Sequence, residues 1–135
     1  MTKDEIVLVK RSWGLLRNIS PEVIGETFYG KLFTDKPALR RLFPKEMNLQ
    51  YQKLMDMLNT IVASLDKTNV IDEEIRAMGK RHIGYGVKPE HFKIVGNAFL
   101  WTLEQGLGKE YYKEVKGAWI KCYDEMSQIM LDMKK

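Results

Sequence analysis

Apolar residues recur every three to four positions along most of the chain, and this spacing predicts helices. The first such stripe is formed by Ile6, Val9, Trp13 and Leu16. Thr2 followed three residues later by Glu5 has the pattern of a capping box, so the first helix is predicted to begin there. Because the alternating β-branched pattern of half-buried strands does not occur, we predict an all-helical fold.

Polar and proline-containing breaks divide the chain into seven predicted helices of uneven length. Ser20 and Pro21 are typical of a second helix start, and residues 37–43 predict a very short third helix. Longer helices are expected to begin at four further points, near Asn48, Asp72, Pro89 and Glu110. Helices of such unequal length favour an orthogonally packed domain that can hold a cofactor over an up-and-down four-helix bundle.

Length, charge and cysteine content narrow the class of protein. A chain of 135 residues has room for one hydrophobic core, so we expect a single domain over residues 1–135. The net charge of +4 comes from 22 basic and 18 acidic residues that are interspersed, which argues against a nucleic-acid-binding surface. Without a long apolar run or an apolar leader, a cytoplasmic protein with no membrane span is expected. The single cysteine, Cys122, is expected to be a buried or half-buried packing residue in preference to a reactive thiol.

Three polar side chains interrupt apolar stripes and are the candidate functional residues. His82 continues the stripe of Ile71, Ile75 and Met78, Tyr29 lies beside Phe28, and Gln50 precedes Leu54 by one helical turn. Taken alone, each has an ordinary interpretation as a buried polar group that bonds to another part of the protein. Their occurrence together on three helical faces indicates a ligand site.

The histidine content decides which cofactor such a site suits. The chain has two histidines, His82 and His91, and His91 is expected to be an exposed residue in a first helical turn. One cysteine and two histidines without a His-x-x-x-His pair do not match the spacing of a zinc site. Haem supplies four equatorial nitrogens itself and needs only one protein imidazole, which fits this sequence.

Four segments carry a resemblance to a known family. "FYGKLF", the "LFP" after the short third helix, "QYQKLM" and "KRHIGYGVKPEHF" stand in the order and spacing of the globins. Over nearly its whole length the chain resembles the single-domain bacterial globins and the haem domain of flavohaemoglobins. The resemblance implies a globin fold, a haem b cofactor and His82 as the proximal ligand of the iron.

The resemblance also implies roles for residues around the haem. Six residues are expected to contact the cofactor: Phe43, Leu54, Val87, Phe92, Lys53 and Arg81. For Lys53 and Arg81, pairing with the haem propionates and exposure as solvated surface charges are equally open. Tyr29, Gln50 and Phe28 are expected on the side where a diatomic ligand binds, whereas His91 has no ligand role in the family pattern.

The resemblance favours reversible binding of dioxygen at a five-coordinate iron, with nitric oxide and carbon monoxide as further ligands. Two distal donors, Tyr29 and Gln50, predict slow release of dioxygen and high affinity. Nitric oxide dioxygenation is the alternative, and it would need a separate reductase because we expect no flavin or nicotinamide module in this chain. A gas sensor and a helical domain without a cofactor are the remaining interpretations.

Two positions depart from the flavohaemoglobin pattern. That family has a tyrosine and a glutamate whose side chains hydrogen-bond to the proximal imidazole, and the corresponding residues here are Phe92 and Lys134. Neither side chain can accept a hydrogen bond from imidazole. A backbone carbonyl is therefore the expected partner of His82, which puts peroxidase-like activation of oxygen in doubt.

Overall fold

Helices account for the regular structure of the chain wherever it is described. The computed structural model describes residues 1–66, 73, 76–77, 88 and 90–132, with the backbone alone for 129–132. Its helices are, in chain order, α1 (Lys3–Leu16), α2 (Pro21–Asp35), a 3-10 helix (Pro37–Leu42), α3 (Asn48–Ala63), α4 (His91–Leu107), a 3-10 turn (Gly108–Glu110) and α5 (Lys113–Asp132). The all-helical prediction is confirmed; of the predicted helix that begins near Asp72, only residues 73 and 76–77 are described, and these are helical.

The two helix starts that were predicted from capping residues are confirmed. The Thr2 hydroxyl accepts a hydrogen bond from the backbone N–H of Glu5 at 3.1 Å, and the Glu5 carboxylate accepts one from the N–H of Thr2 at 2.7 Å. Ser20 likewise accepts a bond from the N–H of Val23 at 3.2 Å, and Pro21 occupies the first helical turn. These bonds satisfy backbone donors that have no partner inside a helix.

The last helix begins three residues later than its sequence predicts. Gly108 adopts a φ of 55°, a backbone conformation that glycine tolerates better than other residues. Residues Gly108–Glu110 then form a separate 3-10 turn, and α5 starts only at Lys113. The break was predicted at Gly106 and Gly108; Gly108 does end the preceding helix, but Gly106 lies within it, and the predicted start near Glu110 is the last residue of the 3-10 turn.

Hydrogen bonds from two buried tryptophans link α1 to α3 and α5. The indole N–H of Trp13 donates to the side-chain oxygen of Asn59 on α3 at 2.7 Å. Trp119 on α5 donates in the same way to the hydroxyl of Ser12 at 2.8 Å, and the two indole rings lie 6.5 Å apart. Since both buried donors are satisfied, these contacts add specificity to the packing of α1. On the other side of the core, α2 packs against both α3 and α4.

Cys122 lies in the core on α5, as its sequence predicts. It is 1% exposed, and burial raises the pKa of its thiol to about 12. A thiol that stays protonated and shielded is a poor nucleophile, so Cys122 is a packing residue.

His91 is buried, so the prediction that it is exposed is wrong. Its exposed fraction is 9%, and its Nδ1 atom accepts a hydrogen bond from the backbone N–H of Lys88 at 3.0 Å. The imidazole accepts the hydrogen bond of a backbone N–H that precedes α4. This bond explains why a polar side chain is buried at position 91.

No helix within the described ranges combines the length and the apolar character that a membrane span needs.

Candidate functional site

Tyr29 and Gln50 meet where α2 packs against α3. The side-chain amide nitrogen of Gln50 donates a hydrogen bond to the Tyr29 hydroxyl oxygen at 3.0 Å, although the two residues are 21 positions apart. Tyr29 is 5% exposed, and Gln50 is half-buried at the edge of the same region. Two of the three polar residues that were singled out in the sequence therefore form one pair.

The direction of this hydrogen bond decides what the pair can do. Because the Tyr29 oxygen accepts from Gln50, the phenol proton remains available for another acceptor, and none of the described residues accepts it. Burial, together with the nearby Tyr51, raises the pKa of Tyr29 to about 12, against a smaller lowering by the Gln50 bond. Tyr29 is therefore a neutral hydrogen-bond donor at any physiological pH.

Four aromatic rings hold the Tyr29 ring in place. Phe28 and Phe43 meet it edge-on, with ring centroids 4.8 and 5.3 Å from that of Tyr29. Phe33 and Tyr51 stack on it, each at 5.9 Å. Edge-on and stacked arrangements are the favoured geometries of aromatic pairs, so this cluster gives the phenol a defined orientation.

Tyr51 reaches this cluster only because α2 has a glycine opposite it. An ideal Cβ atom on Gly25 would lie 2.7 Å from the Cβ of Tyr51 and closer still to its ring. We did not predict a site role for Tyr51 from the sequence. A signal was present, since Leu54, Met55 and Leu58 follow Tyr51 at the spacing of one buried helical face.

The other predicted haem contacts are placed at different depths. Phe43 is half-buried and touches Tyr29, while Leu54 lines an apolar cavity of about 10 Å³ between α1, α2, α3 and α4. Phe28, which was predicted on the gas-binding side, lines the same cavity. Lys53 is exposed on α3, so both of its interpretations remain open.

Phe92 is half-buried on α4. Its backbone carbonyl accepts a hydrogen bond from the Tyr123 hydroxyl on α5 at 2.6 Å, a contact that the sequence did not reveal. His82, Arg81, Val87 and Lys134 lie outside the described residues, and their roles stay predictions.

The buried phenols predict that the fold loses stability in alkali. Burial raises the pKa of Tyr29 and of Tyr123 to about 12, whereas a tyrosine in an unfolded chain titrates near 10. As the pH rises, the unfolded chain therefore releases these protons before the folded protein does. The contribution of the two phenols to the free energy of unfolding is fully present below pH 10 and is lost as the pH rises towards 12. Urea unfolding at pH 8 and pH 11 measures this loss. Equal free energies of unfolding at both values would contradict it.

Comparison with known proteins gives one family for this chain. The globin family model matches residues 26–130. The anaerobic nitrite reductase AHB2 of Arabidopsis thaliana is 30% identical over 99% of this chain and 94% of its own length. An uncharacterized globin-like protein of Aquifex aeolicus is 25% identical over 100% of this chain and 95% of its own length.

A third relative is much longer than this chain. The flavohemoprotein of Vibrio cholerae is 24% identical over 98% of the chain, which spans only 34% of that protein. The family match runs from within α2 through most of α5, and it includes both Tyr29 and Gln50. The resemblance that the four sequence segments indicated is confirmed, and the chain belongs to the globin family.

Proposed function

We propose that this haem-binding globin binds dioxygen reversibly at a five-coordinate haem b, with His82 as the iron ligand and Tyr29 and Gln50 beside the bound gas. One observation carries the proposal: the Tyr29 hydroxyl accepts from Gln50, and within the described part of the chain no group accepts its own proton. A donor pair that had only a structural role would have its protons satisfied within the protein.

The residues around Tyr29 fit a haem of this kind. The surroundings are apolar and aromatic, and they include Phe43, the residue for which the family resemblance implies a haem contact. Leu54 is buried on the same helix as Gln50 and one turn further along. We propose that Phe43, Leu54, Val87 and Phe92 contact the porphyrin, and that Lys53 and Arg81 reach its propionates.

The protein's own residues then account for selective binding. When bound, the haem would supply an iron that binds dioxygen and makes it a stronger hydrogen-bond acceptor than bound carbon monoxide. Tyr29 would donate its phenol proton to the gas, and the hydrogen bond from Gln50 to the phenol oxygen leaves that proton free to do so. A hydrogen bond to an acceptor that carries charge is stronger than one to a neutral acceptor, so dioxygen is favoured over carbon monoxide. The aromatic cluster excludes water that would compete for the phenol proton.

Absorption spectroscopy with a proximal variant tests this proposal. The protein loaded with haem is expected to give a five-coordinate spectrum when reduced and a stable oxygenated spectrum in air. In His82→Ala we expect both to be lost, because no other histidine replaces the ligand: His91 is already engaged with Lys88. His91→Ala is the control and should leave the axial-ligand bands unchanged. If His82→Ala retains them, the proximal assignment is wrong.

Nitric oxide dioxygenation with a separate reductase is the second candidate. The observation that favours it is the alignment of nearly the whole chain with one third of a flavohemoprotein. The relatives named anaerobic nitrite reductases suggest nitrite as a further substrate to assay. Turnover of nitric oxide with an added reductant, in air, would support the enzyme. Stable gas binding without turnover of either substrate would support the carrier.

A further inference from the structure

Arg40 makes an unusual set of contacts at the end of the short 3-10 helix. Its Nη1 atom donates to the backbone carbonyl oxygens of Phe43 at 3.3 Å and of Pro44 at 2.9 Å. Its Nη2 atom donates to the carbonyl oxygen of Lys45 at 3.0 Å. Three successive carbonyls therefore converge on one guanidinium group.

This convergence means that the chain folds around the Arg40 side chain between the 3-10 helix and α3. Residues 43–45 belong to no helix, and Pro44 has no N–H of its own. A guanidinium group presents five donors in a rigid plane, so it can bond to several fixed carbonyls at once. A lysine ammonium at this position is a single point on a flexible stem and cannot reproduce that geometry.

The same guanidinium also reaches the rings around Tyr29. Its Cζ atom lies 5.5 Å from the centre of the Phe33 ring, and that ring lies 5.4 Å from the ring of Phe43. Both Phe33 and Phe43 contact Tyr29 directly, at 5.9 and 5.3 Å between ring centroids. Arg40 thus bonds to the backbone of Phe43 and packs over the ring of Phe33. The Tyr29 ring contacts the rings of both residues.

We propose that Arg40 is a positioning residue for the distal site: it holds the 43–45 segment and thereby keeps the Tyr29 phenol aimed at the bound gas. The proposal rests on the function proposed above for Tyr29. Arg40 itself does not contact the gas. It acts through Phe43 and Phe33, whose packing leaves the Tyr29 ring one orientation in which Gln50 can donate to its oxygen.

Arg40→Lys is the test variant, and Arg41→Lys is its matched control. Arg41 is the next residue, it is exposed, and the same substitution keeps the net charge in both proteins. Three quantities are measured: amide hydrogen exchange of residues 43 and 45–47 in the protein without haem, the carbon monoxide stretching frequency of the haem-loaded protein, and its rate of dioxygen release. The stretching frequency reports how strongly a donor acts on the bound gas.

We expect Arg40→Lys to speed exchange in this segment about tenfold or more, since local opening no longer breaks three bonds. The carbon monoxide band is expected to shift or split towards that of Tyr29→Phe, and dioxygen release to accelerate about three- to tenfold. Arg41→Lys is expected to change none of the three quantities. A merely structural role for Arg40 would alter exchange and leave the carbon monoxide band where it was, and that result would overturn the proposal.

Different results would overturn the function proposed for Tyr29 and the role proposed for Arg40. If Tyr29→Phe shifts the carbon monoxide band and Arg40→Lys does not, Arg40 has no positioning role and the function of Tyr29 stands. If Tyr29→Phe leaves the band unchanged, both proposals are overturned.

The unmodified protein gives a second measurement should Arg40→Lys not fold. Rotation about the bonds to the Nη atoms, followed by NMR, is expected to be at least tenfold slower in Arg40 than in Arg41. Equal rotation in both side chains would overturn the proposal.

Discussion

Replacing Tyr29 with phenylalanine is expected to raise the rate of dioxygen release about 10- to 100-fold. The variant keeps the ring that packs against Phe28, Phe43, Phe33 and Tyr51 and removes only the hydroxyl. A hydrogen bond to an acceptor that carries charge contributes about 1.5 to 3 kcal/mol, and each 1.4 kcal/mol is a factor of about ten in the equilibrium. Because the bond exists only in the gas-bound protein, most of this factor is expected in the dissociation rate.

Tyr51→Phe is the matched control for this experiment. It removes a phenol hydroxyl from a ring that also stacks on Tyr29, but not the hydroxyl that is bonded to Gln50. Stopped-flow mixing of the oxygenated proteins with excess carbon monoxide gives both release rates. A rate for Tyr29→Phe within twofold of the parent would show that the phenol does not stabilise the bound gas.

Gly25→Ala is expected to lower the free energy of unfolding by about 3 kcal/mol. The added methyl group would lie 2.7 Å from the Cβ of Tyr51, an atom fixed to the backbone of α3 that cannot turn away. Either α2 and α3 separate or the Tyr51 ring leaves the aromatic cluster, and both outcomes disturb Tyr29. Urea unfolding followed by tryptophan fluorescence measures the loss.

The same helix provides the control. Gly30 also lies within α2, but a Cβ atom there would meet no heavy atom within 4 Å. Gly30→Ala is therefore expected to stabilise the protein by about 0.5 to 1 kcal/mol, through helix propensity alone. Combining Gly25→Ala with Tyr51→Ala should recover part of the lost stability, since the second change removes the ring that the methyl group displaces. If Gly25→Ala raises the free energy of unfolding as Gly30→Ala does, α2 and α3 do not approach each other closely at Gly25.

Local signals in the sequence were sufficient for most helix starts and for choosing Tyr29 and Gln50 as candidate site residues, but the hydrogen bond between these two side chains was not predicted. The capping residues Thr2 and Ser20 act within three positions of themselves, so their effect can be read from neighbouring residues. Tyr29 and Gln50 could be selected because each interrupts an apolar stripe. Each was expected to need a partner or a ligand, but periodicity along one helix does not show which residue on another helix that partner is.

Arg40 and His91 could not be predicted because their partners are backbone atoms in irregular segments. The guanidinium of Arg40 bonds to carbonyls whose directions depend on how residues 43–45 turn, and no residue type in that segment specifies those directions. His91 resembles an ordinary exposed residue in a first turn until the position of the Lys88 N–H is known. Polar residues that satisfy loop backbone leave no periodic pattern in a sequence.

Because Cys122 is buried, the rate at which its thiol reacts with a reagent reports how often the structure opens. The sequence contains one cysteine, its thiol is 1% exposed, and its pKa is raised to about 12 by burial. A thiol reagent can therefore modify the native protein only in the moments when α5 separates from the core. With no competing thiol, the labelling rate follows that one event, and comparing it with and without haem measures how far the cofactor holds the last helix in place.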